Sequence, residues 1–295
     1  MSAVIEVENL CHSYGEKDVL NNLSFQVNKG RIFGLLGKNG AGKSTTINTM
    51  MGFLAPKGGE CRVFGEPSHR LSPQTRSRIG LLHETFLQYQ FFSIGQAEKF
   101  YAPFYPKWNH SVFRLLMDKL GLPENRKIHR MSCGQRSQVT LALILAQMPD
   151  LMILDDYSLG LDAGYRRLFL DYLLEYARRE GTTILITSHI VQDLERFVDD
   201  IVVLEKGRTL ISSTLDDFIK GFHCYGFSVN GQEREIPQEG PLFRVEAIGK
   251  KRFLFSYASK DEVKSYLSSC GVNAPELEVV PQSLEDAFIG LTGKY

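Results

Sequence analysis

A glycine-rich octapeptide at Gly37–Ser44 carries the clearest chemical signal in the sequence. It matches the pattern G-x-x-x-x-G-K-S without a gap. Glycines allow the backbone to bring its N–H groups against phosphate oxygens, and a helix that follows directs its positive end to the same place. Lys43 would supply a point charge for the β- and γ-phosphates, and the Ser44 hydroxyl a magnesium ligand. The pattern therefore predicts a site for nucleotide phosphates.

Two adjacent carboxylates form a second candidate group. Asp155 and Asp156 follow the apolar run Leu151–Leu154, which is typical of a central parallel strand. In phosphoryl transfer Asp155 could hold magnesium, while Asp156 could orient or deprotonate the attacking water. The alternative is a pair of solvated charges at a strand end. Because a phosphate loop lies upstream, we favour the hydrolytic interpretation.

Polar side chains also follow two other predicted strands. Ile79–Leu82 would end at His83 and Glu84, and Thr183–Thr187 would end at Ser188 and His189. Strand ends are the usual place for functional groups in an open α/β sheet. Glu84 could reach magnesium or water, and His189 could donate to a γ-phosphate oxygen. A lone histidine is more often a packing or capping residue, so that alternative stays open.

Two weaker signals flank these groups. Tyr14 precedes the phosphate loop on a predicted turn and could stack on a purine, although turn packing is the commoner role of such a tyrosine. Ser132 lies in the N-cap region of an apolar helix around Val139–Gln147, so its turn could bind a second anion. Capping turns of this kind are common in proteins without any ligand.

The elements that must position these groups follow from hydrophobic periodicity. Arg31–Leu36 predicts the strand before the phosphate loop, and Ser44–Met51 predicts the helix after it. Alternation at Val4–Val7 and Asp18–Val27 predicts half-exposed strands. The chain is therefore expected to be an α/β protein with a strand-rich flank beside the nucleotide.

An aromatic segment follows Glu84. We expect most of its rings to form a helical core, with some around Phe86–Phe92 forming an exposed docking surface. The rings are Phe86, Tyr89, Phe91, Phe92, Phe100, Tyr101, Phe104, Tyr105 and Trp108.

Composition limits the class of protein. The chain has 295 residues, with 34 basic and 34 acidic side chains and five scattered cysteines. It therefore lacks the basic field of a nucleic-acid-binding protein and the cysteine pairs of a zinc site, and a reducing compartment is expected. The most apolar run, Val139–Met148, is too short to span a bilayer. We expect a chain that is soluble and not exported.

The pattern of predicted secondary structure changes after Lys220. Short strands follow, and Ser259–Glu262 has the pattern of a capping box at the start of a helix. The sequence predicts a nucleotide-binding domain over residues 1–220, containing a helical subdomain at about 85–145, and a small α+β domain over 221–295.

Taken together, these motifs resemble the ATP-binding subunit of an ABC transporter. Gly37–Ser44 is similar to the Walker A loop and Leu151–Asp156 to Walker B. Met131–Gln135 resembles the signature sequence, Tyr14 the aromatic A-loop and Ser158–Asp162 the D-loop. His189 resembles the switch histidine. Ser283–Phe288 resembles the C-terminal extension of the exporter branch with separate ATPase and membrane chains.

The resemblance implies a P-loop NTPase core of ABC type, with an antiparallel β flank and a helical subdomain. It also implies the site residues. ATP would be bound by Tyr14, Gly37, Asn39, Gly40, Ala41, Gly42, Lys43, Ser44 and Thr45. Magnesium would be held by Ser44, Glu84 and Asp155. Catalysis would use Asp156, His189 and Glu84. A second subunit, most simply a second copy of this chain, would contribute Ser132, Gly134 and Gln135 of the signature, and the D-loop Asp162.

The implied partner is a transmembrane permease that the chain powers from the cytoplasmic face of the membrane. The chain departs from the family pattern at Asp156, where a glutamate is usual, and at Tyr157-Ser158, where Pro-Thr is usual. Glu84 replaces the usual Gln, and Cys133 replaces a small residue. Slow hydrolysis is therefore expected, and the alternative function is a nucleotide switch without transport.

Overall fold

The computed structural model describes residues 2–83, 89–158, 161–229 and 236–293. The chain forms two compact units, Met1–Ser212 and Ser213–Tyr295. No helix in these described ranges combines the length and the apolar character needed to cross a membrane.

Among the described residues, ten strands begin within the first unit, and the last of them extends two residues past it. They are β1 (Ala3–Tyr14), β2 (Lys17–Asn28), β3 (Ile32–Gly37), β4 (Gly58–Val63), β5 (Glu66–Pro67), β6 (Ile79–Leu82), β7 (Leu151–Leu154), β8 (Thr183–Ile186), β9 (Asp200–Glu205) and β10 (Arg208–Thr214). The same unit contains helices α1 (Lys43–Met50), α2 (Pro73–Arg76), α3 (Ile94–Tyr101), α4 (His110–Leu120), α5 (Cys133–Ala146), α6 (Ala163–Glu180) and α7 (Val191–Leu194).

These strands form two sheets of different character. The first is four-stranded in the order β2-β1-β4-β5, and its neighbouring strands pair antiparallel. The second is six-stranded in the order β10-β9-β3-β8-β7-β6, and β6, β7, β8, β3 and β9 pair parallel. Because β3, β7 and β8 run in one direction, the residues that follow all three strands emerge at one edge of the sheet.

One apolar core joins both sheets. It contains Ile5 and Val27 of the antiparallel sheet, Leu35 and Ile153 of the parallel sheet, and Ile47 of α1. All four residues of β7 are buried, as expected for a central parallel strand. The predicted mixed α/β architecture with an antiparallel flank is confirmed.

The described region between β6 and β7 is helical, but its aromatic residues are not buried in a helical core as the sequence predicts. Helix α3 buries only Ile94 and Ala97. Phe91 and Phe104 are each 63% exposed, and no described aromatic residue between Tyr89 and Trp108 is buried. The prediction that most of these rings form a helical core is therefore wrong for the described residues: Phe91, Phe100 and Phe104 are exposed, and the other five rings are only half-buried. Phe86 lies outside the described part of the chain.

These rings pack mainly on one another. We call the cluster the aromatic surface, and its rings lie 4.7 to 6.0 Å apart in successive contacts. Its members are Tyr89, Phe91, Phe92, Phe100 and Phe104.

The second unit is a small α+β structure. It contains α8 (Leu215–Gly221), β11 (His223–Ser228), β12 (Arg244–Ile248), β13 (Lys251–Ser256), α9 (Lys260–Ser269), β14 (Glu278–Val280) and α10 (Leu284–Thr292). Its strands form one antiparallel sheet in the order β12-β13-β11-β14. The capping box predicted at Ser259 is confirmed, with the Ser259 and Glu262 side chains bonded reciprocally to backbone N–H groups.

Candidate nucleotide-binding site

The phosphate loop connects β3 to α1, and both its backbone conformation and the space around it are restricted at Gly42. Gly42 caps α1 with φ of 107°, a left-handed conformation that favours glycine. A Cβ atom at Gly42 would lie 2.7 Å from the Leu20 side chain, so only glycine fits there. The first turn of α1 has no acidic residue. Its free N–H groups and positive end are therefore available to an anion.

Lys43 is buried beneath this loop. Its side chain donates to the carbonyl oxygens of Gly37 at 2.7 Å and Lys38 at 3.2 Å. Burial lowers the pKa of the Lys43 ammonium, while the carboxylates of Asp155 and Asp156 act in the opposite direction. A polyanion bound in the loop would raise that pKa again, since it adds negative charge beside the ammonium.

Asp155 follows β7 and is nine-tenths or more buried. Its Oδ1 accepts a hydrogen bond from the Thr187 hydroxyl at 2.9 Å. Its buried Oδ2 has no hydrogen-bond partner among the described residues. An orphaned buried carboxylate oxygen is expected to be satisfied by a cation or an ordered water.

Asp156 has an unusual backbone. Its φ is 46°, in the left-handed region, and the residue is 7% exposed. Its N–H donates to the Thr187 hydroxyl at 2.8 Å, and its Oδ1 accepts from the Ser158 hydroxyl at 3.1 Å. The His189 Nε2 atom lies 3.0 Å from Asp156 Oδ2. Thr187 thus holds the backbone of Asp156, while Ser158 and His189 contact its carboxylate.

These groups share one cavity of about 700 Å³. Of the residues predicted for the site, the structure brings Tyr14 together with phosphate-loop residues, both aspartates and the histidine. Those predicted residues that line the cavity are Tyr14, Asn39, Gly40, Gly42, Lys43, Ser44, Thr45, Asp155, Asp156 and His189. The Tyr14 side chain is half exposed at the cavity and contacts His12 edge-on.

Sequence reasoning missed several residues that line the same cavity. They are Lys17, Asp18, Val19, Thr187, Ser188 and Lys206. Thr187 could have been noticed, since it stands at the end of a predicted strand just before His189. Lys206 comes from the turn between β9 and β10, and nothing in the local sequence indicates that this turn reaches the site.

Six predicted residues of the described part of the chain do not line this cavity: Gly37 and Ala41 of the phosphate loop, Ser132, Gly134, Gln135 and Asp162. Ser132 and Gln135 form a reciprocal capping box at the start of α5. Asp162 caps α6 by accepting from the Tyr165 N–H at 3.0 Å. Gly134 lies against α6, where a Cβ would come within 2.8 Å of the Tyr165 ring. Glu84, predicted for magnesium binding and catalysis, lies outside the described residues.

A second cavity, of about 560 Å³, lies at the opposite ends of the parallel strands. Three of its charged groups form ion pairs: Asp150 accepts from Arg78 at 2.6 Å and from Lys107 at 3.0 Å. It contains no residue of the phosphate loop. The first cavity is therefore the candidate site on chemical grounds.

The family follows from comparison with known proteins. The family model described as "ABC transporter" matches residues 20–158. The Nod factor export ATP-binding protein I of Cupriavidus pinatubonensis is 30% identical, over 100% of this chain and 92% of that protein. This chain belongs to the ABC transporter ATP-binding proteins. The corresponding protein of Sinorhizobium fredii is 32% identical, over 98% of this chain and 86% of its own length. The uncharacterized ABC transporter ATP-binding protein YhcH of Bacillus subtilis is 28% identical over 100% of this chain and 97% of that protein.

Solved structures agree with the ABC assignment. One described as the ATP-binding subunit of an ABC transporter aligns with a TM-score of 0.65 and 27% identity, covering 74% of this chain and 92% of that one. An ATP-binding cassette solved as a dimer with ADP and Pi aligns with a TM-score of 0.63 and 20% identity, covering 72% and 98%. The second likeness shows the fold alone. The chain is thus the ATP-binding subunit of a transporter, with the ABC ATPase fold.

Proposed function

We propose that this chain hydrolyses magnesium-ATP, dimerises around the nucleotide and powers a separate membrane permease that works as an exporter. The observation that carries the proposal is the single cavity in which a phosphate loop faces two buried carboxylates and a histidine. Phosphoryl transfer needs this combination, since its catalysis is mainly positioning and electrostatic stabilisation.

The cavity accounts for each part of an ATP molecule. Tyr14 offers an exposed ring face for the adenine. The N–H groups of the loop and of the first turn of α1 would receive the phosphates. Lys43 would turn its ammonium from the Gly37 and Lys38 carbonyls towards the β- and γ-phosphates.

The residues present fit magnesium. The Asp155 Oδ2 atom is buried without a partner among the described residues, and the exposed Ser44 hydroxyl lines the same cavity. Magnesium prefers oxygen ligands and is commonly held by one or two protein groups together with substrate phosphates. When bound, the ion would neutralise charge that develops on the phosphates. Glu84 remains a proposed further ligand.

Hydrolysis would proceed by attack of water on the γ-phosphorus. The bond between that phosphorus and the oxygen bridging to the β-phosphate breaks, and ADP leaves with the oxygen. Asp156 would take the proton of the water, and His189 would donate to a γ-phosphate oxygen. The products are ADP and phosphate.

A second subunit would complete the site. Ser132, Gly134, Gln135 and Asp162 do not line the chain's own cavity, and Ser132 is exposed at the N-terminus of the 14-residue helix α5. This positive helix end could face the γ-phosphate bound by a second copy. ATP would then bridge two chains in a head-to-tail dimer.

The first test of the proposal removes the loop ammonium. Lys43→Ala is expected to abolish ATP binding or turnover, because the Lys43 ammonium is the one buried beneath the loop, at the Gly37 and Lys38 carbonyls. Isothermal titration with magnesium-ATP and a phosphate-release assay measure the two effects. Lys29→Ala, an exposed lysine outside the cavity, is the matched control. Parent-like affinity and hydrolysis in Lys43→Ala would rule out the assigned site.

The second test concerns the permease. The aromatic surface presents Phe91 and Phe104 to solvent, and contiguous exposed aromatic rings mark interaction sites. The double variant Phe91→Ser, Phe104→Ser is expected to keep its ATPase activity and lose copurification with the membrane chain. Phe53→Ser, at a phenylalanine elsewhere that is 56% exposed, serves as control.

Undiminished copurification of the double variant would place the docking surface elsewhere. If no membrane chain copurifies with the parent protein, the alternative function, a nucleotide switch without transport, gains support.

A further inference from the structure

We propose that Thr187 is a positioning residue for hydrolysis: one buried hydroxyl links the Asp155 carboxylate to the Asp156 backbone N–H and fixes the left-handed backbone of Asp156. The inference rests on the proposed function, in which Asp156 activates the water.

The hydroxyl of Thr187 uses its donor and an acceptor position at once. It donates to Asp155 Oδ1 at 2.9 Å and accepts the Asp156 N–H at 2.8 Å. The direction of both bonds is determined, because an ionised carboxylate only accepts and an N–H only donates. Thr187 is 1% exposed, so water would not readily replace either bond. One side chain therefore couples the proposed magnesium ligand to the proposed base.

The backbone of Asp156 needs such a bond. Left-handed φ values are unfavourable for residues other than glycine, although aspartate tolerates them better than most. Conformations of this kind persist when the surroundings enforce them. Here the Asp156 N–H is bonded to Thr187, and the following peptide is fixed through Tyr157. The Tyr157 side chain is buried, donates to Asp193 at 3.2 Å and stacks on Phe169 at 5.6 Å between ring centres.

Tyr157 also makes this backbone possible. Proline restricts the residue before it to extended conformations, and proline is the residue that the family resemblance expects at position 157. With tyrosine there, Asp156 is free to adopt φ of 46°. The departures at Asp156 and Tyr157 are therefore linked, since the tyrosine permits the conformation that the aspartate adopts.

The left-handed backbone determines where the carboxylate lies. In this conformation Asp156 receives the Ser158 hydroxyl at 3.1 Å and lies 3.0 Å from the His189 ring. Loss of the Thr187 hydroxyl would leave the buried Asp156 N–H without this partner and free the backbone to relax. A misplacement of about 1 Å at a reacting group can reduce the rate by roughly 10²-fold.

The test compares variants that keep the shape of the side chain. Thr187→Val removes the hydroxyl at nearly constant volume, and Thr187→Ser keeps it. Thr182→Val is the matched control, because Thr182 is an equally buried threonine at the other end of β8, bonded to the Pro149 carbonyl. Single-turnover hydrolysis at saturating ATP, ATP affinity without magnesium and thermal midpoints are measured for each.

We expect Thr187→Val to slow single-turnover hydrolysis by roughly 10²-fold with unchanged magnesium-free ATP affinity. Thr187→Ser should recover most of the rate, and Thr182→Val should hydrolyse like the parent even if its stability falls. Parent-like hydrolysis by Thr187→Val, or a Thr187→Ser variant as slow as Thr187→Val, would overturn the inference.

A second pair of variants tests the same backbone if Thr187→Val does not fold. Tyr157→Pro and Tyr157→Ala both remove the ring, but only proline biases Asp156 towards extended conformations and so away from its left-handed one. Slower hydrolysis by the proline variant supports the inference, and equal rates contradict it.

Asp156→Asn distinguishes failure of this inference from failure of the proposed function. If that variant hydrolyses ATP normally, the proposed chemistry fails. If it is inactive while Thr187→Val is normal, only the role of Thr187 fails.

Discussion

At the scale of single residues, Asp156 shows how a short side chain can be positioned by its backbone. The sequence comparison raises the concern that aspartate, one methylene shorter than glutamate, holds its carboxylate too far from the water. In the structure the left-handed backbone brings that carboxylate to 3.0 Å from the His189 ring. We therefore expect that the left-handed backbone offsets the shorter side chain, so that glutamate at this position has no advantage.

Two substitutions of Asp156 distinguish these views. Asp156→Glu is expected to hydrolyse ATP more slowly than the parent, since glutamate is less suited to a left-handed φ and would overreach towards His189. Asp156→Asn should lose nearly all hydrolysis, because an amide cannot take a proton, and both variants should bind ATP normally. Rapid-quench measurement of a single turnover gives the rates. A glutamate variant faster than the parent would show that reach, and not backbone geometry, limits the reaction.

At the scale of elements, the packing of α5 on α6 connects two motifs that are distant in sequence. Gly134, in the first turn of α5, lies against the Tyr165 ring in the first turn of α6. The same turn of α6 is capped by Asp162. The proposed signature therefore packs directly against the helix turn that Asp162 of the D-loop caps, and a displacement of one would displace the other.

A methyl group at Gly134 tests this contact. Gly134→Ala would place its Cβ within 2.8 Å of the Tyr165 ring, and overpacking of this kind typically costs about 1–3 kcal/mol of unfolding free energy. Adding Tyr165→Ala should recover part of the loss. Urea denaturation measures both, with Gly164→Ala as control, because a Cβ there meets only the Asp162 side chain at 3.4 Å. Equal stability of Gly134→Ala and the parent would mean that the ring moves aside freely.

At the scale of the whole molecule, the two units have separate cores. The first unit's core joins its two sheets, and the second is built around residues such as Tyr225, Leu254 and Leu267. The sequence predicts a domain boundary after Lys220, whereas the structure divides the chain after Ser212. The difference arises because α8 (Leu215–Gly221) groups with the second unit, although its sequence pattern gives no sign of this.

A shortened chain tests whether the first unit is sufficient for nucleotide binding. All cavity residues precede Ser212, and ending the chain at Thr214 keeps β10 complete. Residues 1–214 are therefore expected to unfold cooperatively and to bind magnesium-ATP with the affinity of the full chain. Calorimetry of unfolding and isothermal titration provide the two measurements. Loss of ATP affinity in a folded shortened chain would assign the second unit a part in binding.

Much of the fold could be predicted because its signals are local. The strand Ile79–Leu82 has the predicted bounds, and the buried run Leu151–Leu154 forms a parallel strand as expected. The glycines of the phosphate loop indicate a tight turn between a strand and a helix, since glycine allows the backbone conformations that such a turn requires. The family resemblance rests on the same local motifs.

What only the tertiary structure decided is which distant groups meet and in what conformation. Lys206 reaches the site from a turn between strands, and Thr187 bonds to residues 31 and 32 positions away. The aromatic residues after Tyr89 have the composition of a core, yet Phe91 and Phe104 are exposed and helix α3 buries only Ile94 and Ala97. Sequence determines residue types and local periodicity. Long-range hydrogen bonds and the left-handed turn at Asp156 depend on how the strands assemble, and no local pattern encodes that.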